Sequence, residues 1–309
     1  AKEEGLFIKW DSNFMLDTPY SMTDGMRNTF GHNHNINISG KKNTISYAVS
    51  AFYRDRKGVE QGNDGRNGGL RVTFDARPNK VLEFGLTSAM ELNSMNSISA
   101  TTYAGNSSMT LLQRVGATGG QSVENWISDY DDELQGKRFN GSAYINLNFT
   151  TEFSLKTKGA IDYLNNNRYI WLGPHTPFGA ECNGAASILH TGIFGYDIDA
   201  SLDWDHKFSE THTLSIKTGV DIYGENTRFN TMNGIDYFSP VLRARGLSIS
   251  SSKAIHQKYG HNYGTLGVYG ALEWSYEQIL GVNAIVRADN TARYDDGKFT
   301  IYKGADLYV

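Results

Sequence analysis

The feature that most narrows the folds open to this chain is an alternation of period two that persists for about ten residues at a time, beyond the ~5–6 of an ordinary globular strand. From 153 to 163, Phe153, Leu155, Thr157, Gly159, Ile161 and Tyr163 fall on one face, and Ser154, Lys156, Lys158, Ala160 and Asp162 on the other. Ile198, Ala200, Leu202 and Trp204 alternate with Asp197, Asp199, Ser201, Asp203 and Asp205. Leu214, Ile216, Thr218, Val220 and Ile222 alternate with Ser215, Lys217, Gly219 and Asp221, and the rhythm recurs over 70–77 and 139–149. Side chains of a strand point to opposite faces in turn, so each segment carries one apolar and one polar face. A soluble sandwich would turn the apolar face inward. Strands of about ten residues are also what a tilted strand needs to cross a bilayer with lipid on one side and a wet lumen on the other.

The connections separate these possibilities. Strands are predicted near 33–39, 44–54, 68–76, 81–92, 137–149, 152–164, 194–207, 213–225, 265–276 and 279–293. Short turns join them at Gly40–Asn43, Arg77–Lys80, Thr150–Thr151, Phe208–His212 and Glu277–Gln278. Between these hairpins lie the longer segments 55–67, 93–136, 165–193 and 226–264. Short turns at one rim and long segments at the other are the pattern of an outer-membrane barrel with periplasmic turns and extracellular loops. Phe52, Tyr53, Phe149, Tyr163, Trp204, Trp274 and Tyr276 near strand ends suit the membrane–water interface. The predicted fold class is therefore all-β: an antiparallel transmembrane β-barrel segment of ten or eleven long strands from a larger barrel.

Composition agrees. The chain carries 33 Gly, 18 Tyr and 15 Phe but 5 Pro, a mixture suited to pleated surfaces and turns. No run of ~18 apolar residues marks a membrane helix. A net charge of −4 gives no reason to expect a nucleic-acid partner. The single cysteine, Cys182, excludes an intrachain disulfide, and the first residues lack the blocks of a signal peptide.

Several segments resemble SusC/RagA-type TonB-dependent transporters. The run His32-Asn33-His34-Asn35-Ile36-Asn37-Ile38-Ser39-Gly40, followed by Lys41 to Arg54 and Gly58-Val59, is similar to that family's first mid-barrel hairpin. Arg66 to Phe74 with Lys80 to Gly85 resembles the next hairpin. Tyr269 to Tyr276, leading to Ala288 to Tyr294, resembles a later one, with Asn290 where that family carries Gly. The resemblance implies an energy-coupled importer of oligosaccharides or peptides in the bacterial outer membrane, with a plug inside a barrel of about 22 strands. It implies as partners TonB, a SusD-like surface lipoprotein, and outer-membrane lipid and lipopolysaccharide. Residues 1–309 are then expected to form part of one barrel domain, the plug and remaining strands lying outside this chain, because an open sheet in lipid leaves backbone groups unpaired. An adhesin or autotransporter-like structural barrel is the alternative.

No catalytic or nucleotide-binding motif is present, so no enzyme activity is expected. For cargo, the segment 165–181 offers Arg168, Tyr169, Trp171, His175 and Phe178, with Trp126 and Tyr130 as a second group; flat rings beside hydrogen-bonding groups suit sugars or peptides. Asp129, Asp131, Asp132 and Glu133 place four carboxylates close enough in sequence to be a candidate Ca2+ site, though without the EF-hand spacing. No other cofactor is expected, and the eight histidines show no metal-ligand spacing. The charges Lys156, Lys158, Asp162, Asp199 and Asp203 are predicted to face the interior.

Overall fold

The computed structural model describes residues 27–59, 62–97, 128–277, 279–291 and 299–308. Among the described residues, eleven strands form one antiparallel sheet in which every strand pairs with its sequence neighbours, β1 to β11 in order. They are β1 (His32–Lys42), β2 (Ile45–Lys57), β3 (Asp64–Ala76), β4 (Leu82–Asn96), β5 (Tyr130–Asn148) and β6 (Phe153–Leu172). They continue as β7 (Ala185–Lys207), β8 (His212–Tyr237), β9 (Ser250–Tyr276), β10 (Leu280–Thr291) and β11 (Thr300–Tyr308). A short helix, α1 (Pro177–Glu181), and a 3-10 segment (Pro240–Ile249) lie in two of the connections. Among the described residues β1 and β11 each have one partner strand, so the sheet is open.

The register keeps like with like. Leu147, Leu155, Leu202 and Thr218 lie side by side across β5 to β8, as do Ala143, Gly159, Ile198, Ile222 and Leu266 across β5 to β9. The apolar face so formed stays exposed: Ile36, Leu70, Leu86, Ile145, Ile198 and Val268 are each 47–64% accessible. An apolar patch spanning eleven strands has no place in water, and lipid is the solvent that suits it. No helix among the described residues is long and apolar enough to cross a membrane. At the short-turn rim the same face ends in aromatic pairs. Phe149 stacks on Phe153 at 5.6 Å, Trp204 on His206 at 5.4 Å and Trp274 on His212 at 5.7 Å. Tyr53 lies on this outer face, whereas Phe52 lies on the opposite one, over the bare backbone of Gly69.

One difference from the sequence expectation stands out. The short turns fall where they were predicted, the tightest being Asn43–Thr44, where Asn43 takes a positive φ of 53°. Of the long segments, however, 55–67, 165–193 and 226–264 are mostly strand. β6 runs on to Leu172, β7 begins at Ala185, β8 reaches Tyr237 and β9 starts at Ser250, lengths of 20, 23, 26 and 27 residues. Stretches such as Asn165-Asn166-Asn167 have poor intrinsic strand preference. They are held extended because both neighbours continue beside them and complete their hydrogen-bond ladders. The true connections shrink to 58–63, 173–184 and 238–249.

Candidate functional site

The polar face carries a connected wall of charge. Arg287 lies between Asp221, at 2.8 Å, and Asp289, at 2.7 Å, with the Tyr269 ring 5.9 Å away. Tyr269 donates its hydroxyl to Asp199 at 3.2 Å and covers the backbone of Gly219. Tyr144 repeats the device, covering Gly85 and donating to Asp75 at 2.9 Å. Lys156 meets Asp203 at 2.5 Å, Lys158 pairs in register with Asp199, and Arg138 grips Asp162 through two nitrogens at 2.8 and 3.1 Å. The predicted interior charges thus share one face, opposite the apolar one. A cavity of about 330 Å³ opens on this face, lined by Thr87, Asn140, Ser142, Asp162, Tyr223 and Glu225 among others. Such a recess suits a solute or a protein segment that hydrogen-bonds.

Beyond the apolar band, the extended ends of β5 to β9 build a small cap with packing on both faces of the sheet. Tyr130, Leu172 and Ala185 cluster on the polar-face side with Ile170, Cys182 and Ile235. Trp171, Ala186, Tyr237 and Ala244 cluster on the other with Tyr169 and Leu247. Alternation decides the sides: Tyr169 and Trp171 have the parity of Tyr163 on the outer face, and Arg168 that of Asp162 on the inner face, with no register shift between them. Trp171 is fully buried, meets Tyr237 edge-on at 4.8 Å and donates its indole N–H to Asp129 at 3.2 Å. Gly184, at φ 91°, lies against the ring, where a Cβ would come within 2.8 Å of it. Thr176 caps α1, accepting from Gly179 N–H at 3.1 Å, with Pro177 in the first turn where its missing N–H costs nothing. The 3-10 segment covers Trp171 and is pinned by two arginines. Arg243 reaches Asp131 at 2.7 Å and the Ser128 carbonyl at 2.7 Å, and holds a positive φ of 47°. Arg245 reaches Glu133 at 2.7 Å and lies 5.0 Å over Tyr169.

The predicted cargo residues are therefore divided. Arg168 is on the inner face, clamped on the buried carboxylate of Asp132 at 2.5 and 2.6 Å, which raises the guanidinium pKa. Tyr130 is buried beside it; Tyr169 and Trp171 face outward and are covered by the cap. Phe178 lies in α1, His175 contacts Asp129 at 2.9 Å, and Trp126 lies outside the described residues. The four carboxylates of the candidate Ca2+ site diverge. Asp131 and Glu133 face outward to Arg243 and Arg245, Asp132 faces inward to Arg168, and Asp129 serves Trp171 and His175. Alternation along a strand sends neighbours to opposite faces, and sequence proximity cannot converge them. Among the described residues no three His, Cys, Asp or Glu side chains are grouped as metal ligands. Two further groups are perturbed in the cap. Hydrogen bonds from Ser251 and Asn183 hold the Asp236 carboxyl below its usual range, and burial pushes the Cys182 thiol up. The inner-face recess was missed as a site because its residues come from five strands; only the alternation of Asp162, Asp197 and Glu225 on the polar side hinted at it.

Fold and face chemistry together define a section of transmembrane β-barrel wall of the outer-membrane kind. No protein-family model matches the chain, and no curated protein does. Solved structures do. The chain superposes on the RagAB peptide transporter with a TM-score of 0.73 at 14% identity, over 89% of this chain and 33% of that one. It matches the ferripyoverdine receptor of the outer membrane of Pseudomonas aeruginosa with a TM-score of 0.58 at 12% identity, over 89% and 38%. With the ferric citrate transporter FecA the TM-score is 0.51 at 12% identity, over 90% and 38%. The chain spans about a third of the length of the RagAB chain it matches.

Proposed function

We propose that these residues form part of the wall of a TonB-dependent importer of the SusC/RagA type, which brings oligosaccharides or peptides across the bacterial outer membrane. One observation carries the reading: an eleven-stranded meander with a lipid-suited outer face and a charged inner face shares its fold with the RagAB peptide transporter over most of its length. Among the described residues β1 and β11 each have one partner strand, and the cost of unpaired backbone in lipid, several kcal/mol per group, supports closure by further strands. Those strands and a plug belong to segments beyond these residues; TonB and a SusD-like lipoprotein act with the whole polypeptide. Cargo passes along the inner face, where the recess lined by Asn140, Asp162, Tyr223 and Glu225 offers hydrogen-bonding groups. Arg168, Tyr130 and the cap shape the extracellular entrance to it.

The test is uptake. A strain deleted for the full gene is compared with its parent for entry of isotope-labelled oligosaccharides and peptides, with and without TonB. Loss of uptake of one of these solutes on deletion, and equal loss without TonB, is expected. Unchanged uptake of both classes overturns the reading, and a defect confined to surface adhesion would favour the adhesin-like barrel.

A further inference from the structure

Histidines two residues apart point to different sides of a helix, but on a strand they lie on one face. His32 and His34 stand in this way at the start of β1, on the outer face and at the rim opposite the short turns. Their ring centroids are 5.0 Å apart and the ring planes are inclined at 53°. Two imidazoles on one tetrahedral ion, with metal–nitrogen bonds of ~2.0–2.1 Å, hold their centroids about 5.2 Å apart. Neighbouring ligands of a square-planar ion, with bonds of the same length, hold them about 4.5 Å apart. The observed spacing falls between the two values.

A second observation is an orphaned nitrogen. Nδ1 of His32 is shielded from solvent and has no hydrogen-bond partner among the described residues. The Phe30 and Tyr53 rings lie beside it, with centroids 5.9 and 5.8 Å from that of His32. A ring needed only for an interfacial aromatic belt would be served by Tyr or Trp, whose polar edge meets water. A buried imidazole nitrogen without a donor or acceptor is costly, and a metal ion satisfies it. Asp55 stands opposite His32 in register; its carboxylate is 17% exposed and accepts from Arg66 at 3.2 Å. A carboxylate beside an imidazole is the usual outer partner of a ligating histidine. His34 is exposed, which opens the pair to water. Two residues further along β1, Ile36 begins the apolar band, in a row with Ala51, Leu70, Met90, Phe139 and Tyr163. The pair therefore stands at the wet border of that band, where a hydrated ion can arrive.

We propose that His32 and His34 together bind a divalent late transition-metal ion through two imidazole nitrogens, with water in its remaining positions. Imidazole suits such ions, and among the first-row divalent metals nitrogen sites hold Cu2+ most tightly. Ca2+ and Mg2+ want oxygen ligands and have no claim on the pair. The protein supplies two ligands, since no three His, Cys, Asp or Glu side chains are grouped among the described residues. The site lies on the outer face, apart from the inner-face recess, and is independent of what the barrel imports.

The experiment uses the full polypeptide, extracted in detergent and stripped with a chelator, with Cu2+ as the probe. Electron paramagnetic resonance counts the nitrogens bound to the ion, and titration calorimetry gives the affinity. The wild-type protein is expected to hold Cu2+ through two imidazole nitrogens. His32→Gln and His34→Gln each keep one imidazole and are expected to bind about a hundredfold more weakly, because the second ligand acts intramolecularly. His32→Gln/His34→Gln should lose the two-nitrogen signal altogether. His206→Gln/His212→Gln, at the opposite rim where His206 already meets Glu152 at 2.9 Å, should match wild type. Excess Ca2+ should displace nothing. Unchanged migration of unheated samples on gels shows that each variant keeps its barrel. A wild-type spectrum without two bound nitrogens overturns the proposal before any variant is made. A two-nitrogen signal that survives in His32→Gln/His34→Gln overturns it as well, and displacement by Ca2+ overturns it in favour of an oxygen site.

Discussion

Trp171 is the residue on which the cap's stability most depends, and replacing it with alanine isolates that role. The side chain is fully buried, packs edge-on against Tyr237 at 4.8 Å and bonds Asp129 through its indole N–H. Truncating a buried aromatic to alanine costs about 3–5 kcal/mol, because transfer and cavity penalties add. At ~1.36 kcal/mol per tenfold, a loss of ~4 kcal/mol raises the open population of the cap about a thousandfold. Hydrogen exchange read by mass spectrometry on the folded barrel measures this directly. Amides in 173–184 and 238–249 should exchange faster by that order in Trp171→Ala, while those of β5 to β8 within the apolar band keep their rates. Trp171→Phe, which retains a ring against Tyr237 and loses the bond to Asp129, should cost about 1–2 kcal/mol. Exchange within about threefold of wild type in both segments for Trp171→Ala would refute the reasoning, since a side chain that holds the two connections cannot be removed silently.

Arg168→Ala leaves the Asp132 carboxylate buried without its cation and should open the cap by about 3–5 kcal/mol; replacing both residues by a size-matched apolar pair should cost markedly less, as a double-mutant cycle on the same exchange rates would show. Asp236 has a folded pKa below its unfolded one, so its contribution is present above the unfolded carboxylate pKa of ~3.9 and is lost as pH falls through the lower folded value. Corrected for intrinsic exchange, the cap should therefore open less in wild type than in Asp236→Asn at pH 6 and to the same extent in both proteins near pH 2, and a difference that persists there would count against it. The Cys182 thiol, raised by burial, should react with a maleimide at pH 7 more slowly than an unfolded thiol and reach the free rate once the cap is denatured. Within the wall, Gly219→Val drives a side chain into Tyr269 and should lower barrel stability in urea by about 1–3 kcal/mol, whereas Gly159→Val, on the lipid face with nothing within 4 Å, should stay near wild type.

The sequence by itself determined the wall. Period-two alternation is written residue by residue, so the apolar and polar faces, the hairpin turns at Asn43 and Glu277 and the interior placing of Lys156, Asp199 and Asp203 could all be read without coordinates. Local patterning carries that information because a strand's two faces meet different solvents at every step. Where strands end could not be read. The Asn-rich and charged stretches beyond the apolar band have no strand preference of their own, and they are extended only because neighbouring strands satisfy their backbone. The candidate cargo and Ca2+ groups failed to gather for the same physical reason. Arg168 and Trp171 are close in sequence but opposite in parity, and Asp132 faces away from Asp131 and Glu133. Pairings such as Trp171 with Tyr237 and Arg243 with Asp131 join residues 66 and 112 positions apart. Only the register of the folded sheet and the 3-10 segment packed on it bring such residues together.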